Sequence, residues 1–170
     1  MEVISKFTIG SDQGVDDLFT VITSSISNTY KNLISEENLK KYIENWDPRK
    51  MINELNNLSN QLIITYADQK PVGYGILKSG SAYPGFSEDK RITELNFVIL
   101  QEYNLSEIRE SLWKKSKSAT AFTDILWTNI FTEDPLLEFF KESGFVIKEN
   151  SQTNPFLLPS YIMELQITKN

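Results

Sequence analysis

The chain has 170 residues, 40% of them hydrophobic and 24% charged, which suits one folded domain with a sizeable core and is far from a disordered composition. Its 17 basic and 23 acidic residues give a net charge of −6, without the clustered basic face that nucleic acid or an anionic membrane surface demands. With neither Cys nor His, the sequence excludes disulfides, thiol nucleophiles, Ser-His-Asp machinery and the usual zinc sites. No metal is expected, and acid–base chemistry falls to carboxylates, tyrosines, lysines or water.

Val3 to Ile9 alternates as a first strand, and Gly10 and Gly14 punctuate the turn after it. Val15, Leu18, Phe19, Ile22, Ile26, Tyr30 and Leu33 then recur at spacings of three and four, predicting an amphipathic helix of about five turns. Ser35 before Glu36 and Glu37 marks a second helix start, with a capping hydroxyl and acids that suit the helix dipole. Pro48 fits the first turn of a third helix carrying Met51, Ile52 and Leu55. Gln61–Ala67 and Pro71–Lys78 read as a hairpin around Asp68-Gln69-Lys70. Gly73 and Gly75 share one face of its second strand, so either a helix or a ligand approaches that face closely.

Residues 79–91 form a loop rich in small and turn residues, whose Tyr83 and Phe86 either line a substrate entrance or belong to an ordinary exposed connection. Ile92 to Leu100 reads as a buried strand, and Leu105, Ile108 and Leu112 as the apolar face of the helix after it. Asp124–Phe131 predicts a further strand. Pro135 fits the first turn of a last helix, with Leu136, Leu137 and Phe140 inward and Gly144 as its cap. Phe145 to Ile147 opens a strand that the polar run 148–154 interrupts, and Tyr161 to Ile167 alternates as the last strand. No apolar run is long enough to span a bilayer and no leader follows the start, so a single cytoplasmic domain over 1–170 is expected.

The order of these elements, with QLIITYADQKPVGYGIL, ELNFVIL before a helix, and LLEFFKESGF near the end, resembles the GNAT acetyltransferase superfamily. The resemblance implies a mixed α/β (α+β) fold: a mostly antiparallel sheet flanked by helices, whose central strand pair splays to admit acetyl-CoA. It implies acetyl transfer from that cosubstrate to a primary amine of a small molecule or peptide, with a homodimer as a common assembly. Amides of Val98, Ile99 and Leu100 would hold the thioester and pantetheine. The family's phosphate turn, Q/R-x-x-G-x-G/A, falls without gaps on Asn104, Leu105, Ser106, Glu107, Ile108 and Arg109, where no glycine remains; a register starting at Gln101 is the alternative.

Glu107 and Glu110 suit the helix start but oppose a bound anion. The family's Tyr that protonates the leaving thiolate corresponds to Phe140, and Glu133 stands where an Asn is common. With His and Cys absent, Glu94 is the candidate general base, sharing a face with Asn96; a polar residue at a strand end is the plainer reading of it. Tyr30, Tyr42 and Trp46 would shape the acceptor pocket. Because both signature positions depart from the pattern, a binding or regulatory module on the same fold is the second reading.

Overall fold

The computed structural model describes residues 1–168. Seven strands form one sheet: β1 (Val3–Thr8), β2 (Asn60–Ala67), β3 (Lys70–Ser79), β4 (Ile92–Ile99), β5 (Ile125–Phe131), β6 (Val146–Gln152) and β7 (Pro159–Gln166), in the order β1-β2-β3-β4-β5-β7-β6. Every neighbouring pair is antiparallel except β4 and β5. These two run parallel and pair only at Ile92–Ile125, Thr93–Leu126 and Glu94–Trp127. Beyond Glu94 they part, so the middle of the sheet opens as a wedge toward the carboxyl ends of both strands.

Helices cover the two faces separately. Helices α1 (Asp12–Thr29), α2 (Glu36–Glu44) and α3 (Pro48–Leu55) lie on one, where Val15, Leu18, Ile22 and Leu55 pack on Leu62, Ile64 and Ile76. On the other are α4 (Ser106–Ser118) and α5 (Leu137–Glu142), where Ile108, Leu112 and Phe140 meet Ile63, Leu77, Leu95 and Phe97. The alternation of Leu62, Ile63 and Ile64 between the two cores is what a strand buried on both faces requires.

Ser35 caps α2 as the sequence suggested, accepting from the amide of Asn38, and Pro48 lies in the first turn of α3, whose cap, Asp47, the sequence had not singled out. Gly144, at φ +100°, lets the Phe145 amide reach the Phe140 carbonyl and the Gly144 amide reach that of Lys141. This Schellman closure sets the Phe145 ring edge-on to Phe140, with centroids 5.0 Å apart. Gly75 faces α4: a Cβ there would lie 3.1 Å from Ser116 Oγ and 3.6 Å from Leu112 Cδ1. Helix packing therefore accounts for the glycine at 75.

Several boundaries differ from the sequence reading. α1 ends at Thr29, so Tyr30 is its cap and Leu33 is half exposed; the apolar spacing runs on past the last helical turn. The hairpin turn is two residues, Asp68 and Gln69, both at positive φ, the mirror-image turn whose twist matches the strands. α5 starts at Leu137, because Asp134 and Pro135 form the turn that precedes it. The polar run after Ile147 does not interrupt a strand: β6 continues to Gln152 as the exposed edge of the sheet, where charged side chains discourage edge pairing. No described helix is long and apolar enough to cross a membrane.

Candidate functional site

A cavity of about 370 Å³ occupies the wedge and the space between the sheet and the helices of the α1 face. Tyr74 of β3 and Glu94, Asn96 and Val98 of β4 line its sheet side, with Asn129 and Phe131 of β5 beyond the gap. Strand alternation puts 94, 96 and 98 on one face. Ile22, Ser25, Ile26 and Tyr30 from the end of α1, with Tyr42 from α2, form the opposite wall. The β6–β7 loop, Thr153 to Phe156, closes the top. The rings support one another: Phe156 lies 5.5 Å from Tyr42 and 6.1 Å from Tyr30, and Tyr30 lies edge-on to Phe131 at 5.5 Å.

At the mouth of the wedge a smaller recess of about 50 Å³ lies between Val98, Ile99 and Gln101 on one side and Asp134, Pro135 and Leu136 on the other. Ser25, Tyr30, Val98 and Asp134 border both spaces. Asp134 therefore stands at their junction. Its Oδ1 accepts a 2.8 Å hydrogen bond from the Leu136 amide. Even so, burial raises its pKa to about 6, with that amide bond pulling weakly the other way. Burial also raises Tyr30 to about 12, helped by the charge of Asp134 and by Tyr42, and it raises Tyr42. Tyr74 moves up as well, by burial first and then by Tyr42, Tyr30 and Asp134. Its ring, half-buried, lines the cavity wall. Among the described residues, no Lys or Arg borders the cavity.

The expected acceptor residues divide. Tyr30 and Tyr42 are in the wall, but Trp46 stacks on Phe19 at 4.9 Å between α1 and α2, away from the cavity. Tyr83 also lies elsewhere, against Phe86 and Trp127, with its hydroxyl donating to Glu164 Oε1 at 2.5 Å. The 79–91 loop is thus pinned to the closed end of the wedge. There Ser81 Oγ donates to Glu94 Oε2 at 2.6 Å and its carbonyl accepts from Trp127 Nε1. Phe140 borders the cavity while 1% exposed, edge-on to Phe97 and Phe145. Glu133 is exposed.

The main-chain donors narrow in the same way. Leu100 N–H donates to Val72 O. In the antiparallel β3–β4 register, Val98 therefore turns its amide to β3 as well. Ile99, with Phe97, is left on the edge of β4 that faces the wedge. In the turn before α4, the amides of Asn104, Leu105, Ile108 and Arg109 are taken by Gln101, Tyr103, Leu105 and Leu105 carbonyls. Those of Ser106 and Glu107, the first residues of α4, have no backbone acceptor among the described residues, so two helix-start donors are open to an anion. Arg109 Nη1 folds back onto Asn104, 2.8 Å from its carbonyl and 3.0 Å from Oδ1, and its guanidinium sits 5.7 Å over the Phe139 ring. Ile108 is fully buried. A wedge with two edge amides and a helix start with two more fits an acyl-pantetheine and its diphosphate.

Asp134, Tyr74 and Phe156 were not singled out from sequence. For Asp134 the available signal was its position directly after a strand and before Pro135, where site-bearing loops usually begin.

The architecture has close counterparts among solved structures. The PaiA N-acetyltransferase from Thermoplasma acidophilum in complex with coenzyme A superposes with a TM-score of 0.73 at 19% identity, covering 98% of this chain and 100% of that one. The chain has the GNAT fold. An acetyltransferase of the GNAT family from Streptococcus pneumoniae gives 0.69 at 14% identity over 98% of this chain and 100% of that one. The aminoglycoside N(6')acetyltransferase from Legionella pneumophila gives 0.66 at 18%, covering 98% and 94%. No family model and no curated protein matches the sequence.

Proposed function

We propose that this GNAT-fold chain transfers an acetyl group from acetyl-CoA to a primary amine bound in the cavity. Acetyl-CoA supplies the acyl group as a thioester. The observation that carries the reading is the junction at Asp134, where the wedge recess meets a chamber walled by tyrosines and carboxylates. A carboxylate with a pKa of about 6 is mostly ionised at neutral pH and basic enough to take the proton of the free amine as its C–N bond forms. Meanwhile the C–S bond breaks, and coenzyme A leaves as a thiolate that takes a proton from water. The Phe97 and Ile99 amides, on the edge of β4 that faces the wedge, would donate to the thioester oxygen as charge develops on it. Ser106 and Glu107 amides would meet the phosphates. Tyr30 and Tyr42 would exclude water and orient the amine.

Asp134 thus takes the role that the sequence suggested for Glu94, and Glu94 remains a wall residue held by Ser81. The test is product formation: protein, acetyl-CoA and a panel of primary amines, with free thiol and acetylated amine both quantified. Turnover lost in Asp134→Asn supports the assignment. Absence of product across the panel, with a folded protein, argues against it.

The Arg109–Asn104 lock across the phosphate turn favours a second reading, a binding module that no longer takes the nucleotide. In that case acetyl-CoA at millimolar concentration leaves the melting temperature unmoved.

A further inference from the structure

The two carboxylates that border the cavity stand at its opposite ends. Glu94 is the last β4 residue paired to β5, at the closed end of the wedge. Asp134 is at the mouth, level with Val98 and Ile99. Four residues of strand separate those levels, about 13 Å of backbone, or roughly 8–12 Å once both side chains reach inward. Between them run apolar side chains and ring faces: Ile22, Ile26, Tyr30, Tyr74 and Phe131. Among the described residues, no basic side chain neutralises either acid from the cavity wall. Ser81 occupies only Oε2 of Glu94.

A single ammonium pairs one end and leaves the other carboxylate with a single neutral donor, Ser81 on Glu94 or the Leu136 amide on Asp134, and no counter-charge in the cavity wall. A ligand with an ammonium at each end and methylenes between satisfies both, and its chain packs on the rings, where cation–π attraction adds to the hold. We infer that the acceptor is an α,ω-diamine, with Asp134 facing the amine that reacts and Glu94 anchoring the one that does not. This rests on the transferase reading for which end reacts, but binding can be measured without the cosubstrate.

The probe is calorimetric titration of the full chain with diaminooctane and with octylamine, acetyl-CoA absent, followed by diamines of shorter and longer chain. The diamine is expected to bind at least about tenfold tighter than the monoamine, with an optimum in chain length, and Glu94→Gln should bring the two affinities within about twofold of each other. If Glu94→Gln folds poorly, Glu94→Asp keeps the charge and should shift the optimum to a longer diamine. Equal affinities in the unaltered protein, an advantage that survives Glu94→Gln, or no binding of either amine overturns the inference. Tight diamine binding without any acetyl transfer would uphold the inference and count against the transferase reading alone. Monoamines acetylated as efficiently as diamines would do the reverse.

Discussion

Replacing Asp134 with Asn should make the protein more stable and less active at once. Burial raises this carboxyl from an ordinary 3.8 to about 6, so the fold holds its proton more tightly than the unfolded chain does. Stability from this group is therefore greatest below about pH 4. It declines as pH rises through the window from about 4 to about 6, and above that the ionised group is a standing cost. A rise of that size corresponds to roughly 3 kcal/mol, an upper figure that the half-open cavity and its water will reduce. Asn keeps an oxygen for the Leu136 amide and carries no charge. It should therefore gain about 1–2 kcal/mol over the unaltered protein at pH 8 and little or nothing at pH 4.

The other groups facing Asp134 are Tyr30, Tyr42 and Tyr74, all raised and neutral throughout that window, and Glu94 along the wall, which is common to both proteins. Urea denaturation of both proteins at each pH provides the assay. A variant equally destabilised at pH 4 and pH 8 would refute the reasoning, because Asp134 would then be a structural acceptor rather than a strained acid. If it is the base, acetyl transfer should fall by about 10²–10⁴ in the same variant.

Arg109→Ala removes two hydrogen bonds to Asn104 and should cost about 1–3 kcal/mol by denaturant titration; an unchanged midpoint would mean the lock is incidental. Glu107→Gln, at the open helix start, should tighten acetyl-CoA binding about threefold at low salt and not at half-molar salt, and a salt-independent change would rule out a charge effect. Gly73→Ala puts a Cβ 2.9 Å from the Val98 carbonyl, against 3.1 Å from a side-chain oxygen at Gly75. It should therefore be the more destabilising of the two, by about 1–3 kcal/mol, and equal melting points would contradict this. Phe140→Tyr should raise transfer if the ring tip reaches the wedge, whereas a loss of more than about 2 kcal/mol without faster turnover would mean the tip points into the Phe97–Phe145 core.

The sheet and helices were legible because their signals are local. Alternation in β1 and β7, the Ser35 cap, Pro48 in the first turn of α3, and the Gly144 closure are properties of short windows. The sequence could also suggest the wedge through its resemblance to GNAT proteins. Trp46 and Tyr83 were misplaced for a common reason: an aromatic residue near a site in the chain need not face it, and each found a partner (Phe19, Trp127) elsewhere. Asp134 was hidden because its character comes from enclosure by α1 and β4, elements distant in sequence. Of the six residues Asn104 to Arg109, only Ser106 and Glu107 keep open amides, since the other four donate to carbonyls of the turn itself, a pattern set by its backbone path rather than by its residue types.

The central claim, that the parted strands receive an acyl-pantetheine on main-chain donors, is tested most directly by following backbone amide resonances while acetyl-CoA is added. Saturable shifts are predicted at micromolar ligand, concentrated on Phe97, Ile99, Ser106 and Glu107, with the β1 and β6 edges unmoved. Silence at those four amides at millimolar acetyl-CoA, or shifts gathered elsewhere on the surface, would contradict it.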